Sequence, residues 1–425
     1  MSSVAATDLT VATTPGAGAH TAPAPGPVRP TLPAQVDVAI IGAGCSGLAT
    51  AVRLTELPGD PSVLVLEGRS TPDPRSWCSW DDGSDPLPEA QSATWNRWEV
   101  RTDHGTSTGT DPEHPYVLVR AADRRAAAER RLRTTSTAVI DGSPVRNVTA
   151  ETDHALVHTP DGVVRAGTVL DARGPRCPEH VEPGRVLLHQ RFVGQWVTTT
   201  RPVFDTSTVT LMDFTDQHAG GAVRFIYVLP VAPDVAFVES TLFTPDGADP
   251  FDHRFHIASH VRRRWGLTPN EWQVDEEEAG CIPMTDAPPI GLTGRAFTHM
   301  PSTVIGTTRP SSGYGFARSN RHSVALARHL AGGTPVPAFT DRPRTRFLDA
   351  VFLRFLRDRP DHAAEAFRRL LALPGPLVVR FMTERSTLAD DLRIVLALQK
   401  RPFLRALRST IADAGHRRRH RWAAQ

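Results

Sequence analysis

The chain has 425 residues, 40% of them hydrophobic and 22% charged, which describes an ordinary globular protein long enough for about two or three domains. Its 48 basic and 46 acidic residues nearly cancel, so no whole-chain field points to nucleic acid. No apolar run reaches the roughly 18 residues a membrane span needs, and four scattered cysteines with no metal-type spacing speak against a disulfide framework and for a reducing cytoplasm.

Residues 1–35 are rich in Ala, Pro, Thr and Gly and lack a charged start and an apolar core, so they read as a disordered leader and not a signal peptide. Order begins at VDVAIIGAGCSGLATAVRLTELPG, which predicts an apolar strand over Val36–Ile41, a glycine loop, and a helix ending before Pro58. A second strand, SVLVLEGR, closes on Glu67. This succession opens a dinucleotide-binding fold. Gly42 permits the tight turn, Gly44 lets the backbone approach a pyrophosphate, and Gly47 lets the helix pack on the strand. The helix start at Cys45 and Ser46 offers free N–H groups to the phosphates, and Glu67, about 20 residues further on, suits the ribose hydroxyls.

The stretch YVLVRAADRRAAAERRLRTT predicts a strand and an Arg-rich helix over 120–133 with a solvated outer face. Three short strands follow, the last ending in Asp171-Ala172-Arg173-Gly174. A meander placed before such a strand fits a flavoprotein hydroxylase-type fold, whereas nicotinamide dehydrogenases continue with further βα units, so the expected dinucleotide is FAD. Residues 187–284 are strand-rich and predict an antiparallel substrate-binding domain covering the flavin. Within it, FDHRFHIASHVRRRWGL predicts an amphipathic helix with Phe255, Ile257 and Val261 at helical spacing. The chain then returns to the nucleotide domain over 285–335, where Gly306, Gly313 and Tyr314 in STVIGTTRPSSGYGFARSNRH are expected against the flavin. Residues 336–425 predict a helical C-terminal region. Its end, GHRRRHRW, reads either as a solvated tail or, with FLRALRSTIADA, as a surface for anionic lipid head groups. The expected class is thus α/β, with the FAD-binding domain over 36–186 and 285–335.

One strand carries a carboxylate at its centre. In DVAFVESTLF, alternation puts Phe237, Glu239, Thr241 and Phe243 on one face and Val238, Ser240 and Leu242 on the other. Two readings are open: an edge strand whose Glu faces water, or a carboxyl group held in an apolar cavity, where desolvation makes it a proton donor.

Four short stretches, in order, resemble the lycopene cyclases, flavoproteins that close the end rings of carotenoids. LMDFTDQH resembles the Met-Asp-Trp-Arg-Asp segment of the plant enzymes, with Asp213 and Asp216 in the acid positions. FVEST resembles Phe-Leu-Glu-Glu-Thr; CIPM, preceded by Glu278, resembles Cys-Val-Ile-Pro-Met; and RPSSGYGFAR resembles His-Pro-Ser-Thr-Gly-Tyr-Met-Val-Ala-Arg. SWCSWDD is similar to the family's Trp-rich stretch, and the likeness covers residues 36–335. Two positions depart from the pattern: Ser240 stands for the second acid and Arg309 for a His.

The resemblance implies a redox-neutral cyclisation of a lipophilic polyene. FAD acts there in its reduced form, NAD(P)H is the electron source, and Glu239 is the proton donor. Such a donor must be protonated near neutrality, although an ordinary Glu has a pKa of about 4.3. Burial among Phe237, Phe243, Trp196 and Tyr227, with Asp213 or Asp216 repelling the charged form, would raise it. A flavin monooxygenase or prenyl reductase, or a cyclase of another terpenoid, would use the same fold.

Overall fold

The computed structural model describes residues 31–174, 178, 180–215, 222–245, 251–288, 303–304, 308–332 and 341–423. Asp216, Gly306 and most of the leader lie outside the described residues.

The chain opens with β1 (Gln35–Ile41), α1 (Cys45–Thr55) and β2 (Val63–Leu66). Both strands are almost wholly buried, as four-residue runs of Val, Leu and Ile are when a parallel sheet is covered on two sides. Next come β3 (Ser76–Trp80), β4 (Ala93–Trp95), β5 (Arg97–Thr102), β6 (Gly105–Thr110), β7 (Tyr116–Arg120) and α2 (Ala121–Leu132). The strands β8 (Thr137–Ile140), β9 (Asn147–Ala150), β10 (Ala155–Thr159) and β11 (Gly162–Asp171) complete this half. One sheet runs β8-β2-β1-β11-β10-β9, parallel through β11 and antiparallel across the meander. The two-residue strand β17 (Thr303–Val304) adds in parallel to the end of β11, at Leu170 and Asp171.

The second large sheet is built from β12 (Leu187–Thr199), β13 (Thr208–Asp213), β14 (Val223–Ala232), β15 (Val235–Thr244) and β16 (Trp272–Thr285). It also takes in β5 and β6, giving the order β16-β12-β15-β14-β13-β5-β6. All its pairs are antiparallel except β13 with β5. Recruitment of residues 97–110 was not expected from their place in the chain. Trp98 and Val100 explain it: both are fully buried, and the Trp98 indole donates to the Leu371 carbonyl at 3.1 Å.

Helix α3 (His253–Trp265) covers one face of this sheet. Ile257 and Val261 are buried there with Ile226, Val228 and Val238, whereas Phe255 is 68% exposed and does not belong to the apolar face predicted for it. On the other face lies the large core that links Trp80, Trp98, Phe225 and Phe237 to the C-terminal helices. These are α5 (Pro343–Asp358), α6 (Ala363–Leu371), α7 (Gly375–Met382), α8 (Leu388–Ala397) and α9 (Lys400–Ala423), whereas α4 (Phe316–Ala331) packs Phe316, Leu326 and Ala327 into the core of the nucleotide sheet. Phe367 of α6 stacks on Phe214 with centroids 6.2 Å apart.

Helix α2 is not only a solvated face. Arg124 is fully buried and donates to Asp85 and Asn320, each at 2.9 Å, which ties α2 to α4. Arg309 is likewise structural: it binds Asp349 and the Phe381 carbonyl, and its guanidinium stacks on the Phe381 ring at 4.4 Å.

Candidate active site

The glycine loop folds as its sequence requires. Gly42 has φ +105°, and a Cβ there would meet the Ala172 carbonyl oxygen at 2.9 Å. A Cβ on Gly47 would come within 2.0 Å of the Gly42 carbonyl oxygen, so helix and loop can approach only without one. Gly44 has nothing within 4 Å of its missing side chain and caps α1 without a side-chain hydrogen bond. The first-turn N–H groups, those of Cys45, Ser46 and Gly47 included, have no acceptor within the helix, and no acidic side chain neutralises that end. The Cys45 thiol stays protonated, because burial pushes it up to about 11 against the pull of Arg124.

Glu67 closes this cradle from the end of β2. Its Oε2 accepts from the Ala43 N–H at 2.9 Å and its Oε1 from the Arg69 N–H at 3.0 Å. Burial would raise its pKa, but the Arg69 and Ala43 N–H groups and the Arg69 guanidinium together hold it below the ordinary value. Asp171 is gripped by Arg173 at 2.7 and 2.6 Å, and Gly174, with φ +85°, leaves open space beside its Cα. Gly313 has φ +72°, and a Cβ there would collide with Gln190 Oε1 at 2.2 Å. That oxygen is buried and makes no hydrogen bond. An open pyrophosphate cradle, an acid at the ribose position and an unused buried acceptor beside Gly313 together fit a bound dinucleotide with a hydrogen-bonding ring system.

The acid site lies on the substrate sheet. Strand pairing aligns Glu278, Gly194, Glu239 and Tyr227 in one row across β16, β12, β15 and β14, so their positions share a face. Glu239 retains partial exposure, but its surroundings are aromatic. Phe237, Phe243, Trp196 and Tyr227 are all buried, and the Trp196 and Phe237 rings lie 5.4 Å apart. Burial pushes the Glu239 carboxyl up to about 7, opposed only by the hydrogen bond it accepts from the Thr241 hydroxyl. Glu278 is 5% exposed and is pushed up to about 8, first by burial and then by the charge of Glu239, while the Ser76 N–H and hydroxyl act against this.

The three tyrosines of the chain meet beside this row. Tyr227 donates to the Tyr116 hydroxyl at 2.9 Å, and that hydroxyl lies 2.9 Å from the hydroxyl of Tyr314. Tyr314, expected at the cofactor, thus reaches into the acid site from the turn that carries Gly313. Burial raises all three phenols, which keeps them neutral. Trp80 packs edge-on against Tyr116 at 4.9 Å and against Trp98 at 5.4 Å, so it belongs to the core.

Asp213 does not join Glu239. It pairs with Ile226, which pairs with Ser240, and this row faces α3. Asp213 is 1% exposed and bound by Arg101 at 3.1 Å and Arg264 at 3.2 Å, with His260 at 3.9 Å. Burial drives His260 down to about 4, opposed by Asp213 and assisted by Arg264 and Arg101. The expectation that Asp213 tunes Glu239 is therefore corrected, because the whole sheet separates them and two cations claim Asp213. Ser240 is buried on that same face, 2.9 Å from Nδ1 of both His253 and His256. Sequence reasoning noted Glu278 beside the CIPM stretch but gave it no role; counting back from Ile282 in steps of two puts it on the same strand face.

The family model described as "Lycopene cyclase protein" matches residues 37–408. A lycopene beta-cyclase of Paracoccus sp. is 27% identical over 413 residues, covering 88% of this chain and 96% of that protein. Among solved structures, a geranylgeranyl bacteriochlorophyll reductase-like protein of Thermoplasma acidophilum has TM-score 0.55 at 13% identity, covering 88% of this chain and 99% of its own. A flavin-dependent brominase, Bmp2, has TM-score 0.54 at 16% identity, covering 90% and 100%. These two share the fold of a flavoprotein. The family match begins in the first strand of the nucleotide sheet and ends within the last helix, so the cradle and the Glu239 row both fall inside it, and the chain belongs to the lycopene cyclase family.

Proposed function

We propose that this chain closes the end groups of lycopene into β rings, in a reaction that adds one proton and removes another with no net redox change. The observation that carries this is Glu239, a carboxyl whose pKa burial raises to about 7 within an aromatic surround. Such a group still holds its proton near neutrality and can deliver it to a terminal double bond. Ring closure onto the resulting tertiary cation and loss of a neighbouring proton complete the reaction. The rings of Phe237 and Tyr227 favour a passing cation by their quadrupoles, whereas Trp196 already carries the Arg120 guanidinium 4.8 Å from its centroid.

FAD is the dinucleotide this reading assigns to the cradle, with the first-turn N–H groups of α1 at the pyrophosphate, Glu67 at the ribose and Gln190 near Gly313 toward the ring. Bound and reduced by NAD(P)H, it supplies negative charge that favours the cation without being consumed. Gly44→Val puts its Cβ into the open side of the cradle, where no protein atom lies within 4 Å, so it should release flavin while the apoprotein still folds, with a melting temperature only slightly lowered by the poorer helix cap.

Contact with a membrane is part of the same proposal, because the polyene dissolves in lipid. No helix among the described residues is long and apolar enough to cross a membrane. Helix α8 instead reverses the usual amphipathic arrangement. Its acids point inward, Asp390 to Arg380 at 2.7 Å and Asp391 to Arg344 at 2.8 Å, while Leu388, Leu392, Val395 and Leu396 are exposed at helical spacing. Exposed Arg385, Arg393, Lys400, Arg401, Arg405 and Arg408 flank this stripe, which suits an interface of anionic lipid.

Expression in a lycopene-accumulating bacterium, followed by pigment analysis, tests the function. β-Ring carotenoids are the expected result, and unchanged lycopene would remove the proposal. Purified enzyme reduced once and assayed anaerobically should turn over many times. Product stopping at one equivalent per flavin would identify a redox enzyme instead.

A further inference from the structure

The pairing of β15, β12 and β16 sets Glu239 and Glu278 two strands apart in the same row, a backbone separation of ~10 Å that two glutamate side chains can largely bridge. Between them stands Gly194, which contributes no side chain. A Cβ there would meet the Phe237 ring at 2.1 Å, so the edge of that ring fills the space directly above it. Glu278 is buried and its Oε2 makes no hydrogen bond. A buried carboxylate oxygen without a partner is costly and calls for an occupant that donates to it. The groups that face the two acids are Asp73, Ser76 and Cys78 from β3 and the turn before it, Thr241 on β15, Tyr227 on β14 and Tyr314 beyond Gly313. Burial keeps the thiol and the phenols protonated, so the charges that shape this pair are carboxylates.

We propose that Glu278 is a second catalytic residue: together with Glu239 it forms a carboxyl pair across Gly194 that shares one proton, one member giving the proton that starts ring closure and the other taking the proton that ends it. This rests on the cyclase reading above. The charge of Glu239 raises Glu278, so the pair passes through a singly protonated state as pH rises. In the reaction, the proton of one carboxyl forms a C–H bond at the terminal double bond, and the internal double bond closes the ring onto the cation. The C–H bond of the neighbouring ring carbon then breaks. Its electron pair becomes the ring double bond and its proton passes to the other carboxyl. No electron is gained or lost. The pair ends with the same single proton on the other carboxyl, and proton exchange with solvent, to which Glu239 is partly exposed, restores the starting state.

The test uses full-length, flavin-loaded protein with lycopene in liposomes, comparing wild type with E278Q and E278D at matched flavin content. E278Q should lower turnover on the order of 10²-fold. It should also divert product to rings with the double bond elsewhere or with a hydroxyl taken from water, and remove the acidic limb of the pH profile. E278D should restore the β ring at reduced rate. E278Q that matches wild type in rate, ring isomer and pH profile overturns the inference while leaving the cyclase reading intact. Wild type that forms no ring overturns both. Infrared titration of the carboxyl band gives a readout without substrate: E239Q should move the ionisation of Glu278 to lower pH, and an unmoved titration counts against the pair. Should E278Q fail to fold, the wild-type profile decides, since a pair requires both limbs and a lone acid shows only the alkaline fall.

Discussion

The two faces of the substrate sheet hold acids of opposite character. On the α3 face, Asp213 is surrounded by Arg101, Arg264 and His260, and its charge is matched by cations brought from β5 and α3. On the other face, Glu239 has a threonine hydroxyl and aromatic rings, and its own charge raises its row neighbour Glu278. Burial alone therefore does not make an acid. A buried carboxylate with cations is a brace for the fold, whereas one without them keeps its proton and becomes a donor.

The largest effect expected from breaking this contrast is on chemistry. Glu239→Gln keeps size and hydrogen bonding but removes the transferable proton, so cyclisation should fall by about 10²–10⁴-fold while flavin content and folding persist. Product assays at matched flavin decide, and near wild-type turnover would return Glu239 to a passive role. The pH dependence follows the same logic. The folded pKa of Glu239 lies at about 7, above its ordinary 4.5, so the fold favours the protonated form. The associated stability is fully present below 4.5 and lost as pH rises through about 7. Turnover should decline over the alkaline side of that window, and melting curves of Glu239→Gln should lack this dependence.

On the opposite face the expected losses are structural. Asp213→Asn takes one carboxylate from Arg101 and Arg264, which keep Glu99 at 3.7 and 2.8 Å, and should destabilise the fold by about 2 kcal/mol, with turnover per folded, flavin-loaded molecule unchanged. Denaturant melts combined with activity per flavin separate the two roles. A turnover loss without a stability loss would put Asp213 back at the chemistry. Ser240→Ala, which removes the partner of His253 and His256, should cost about 1 kcal/mol and leave turnover intact. Together these variants place the boundary between chemistry and support at the plane of the sheet.

Much of this arrangement was legible in the chain itself. The glycine loop, its helix and Glu67 are local features, fixed by which residues tolerate a positive φ or a close approach and by the spacing of strand and helix. Alternation along one strand likewise separated Glu239 from Ser240, because the pleat is a property of the backbone. What the strand order decided was everything that depends on neighbours from afar. It set Glu278 in line with Glu239, drew β5 and its Arg101 to Asp213, and turned Arg309 into a brace for the C-terminal helices. Side-chain direction is local, but desolvation and ion pairing are sums over whatever packs nearby. The sequence could therefore name the acids, and only the tertiary structure could say which of them keeps a proton.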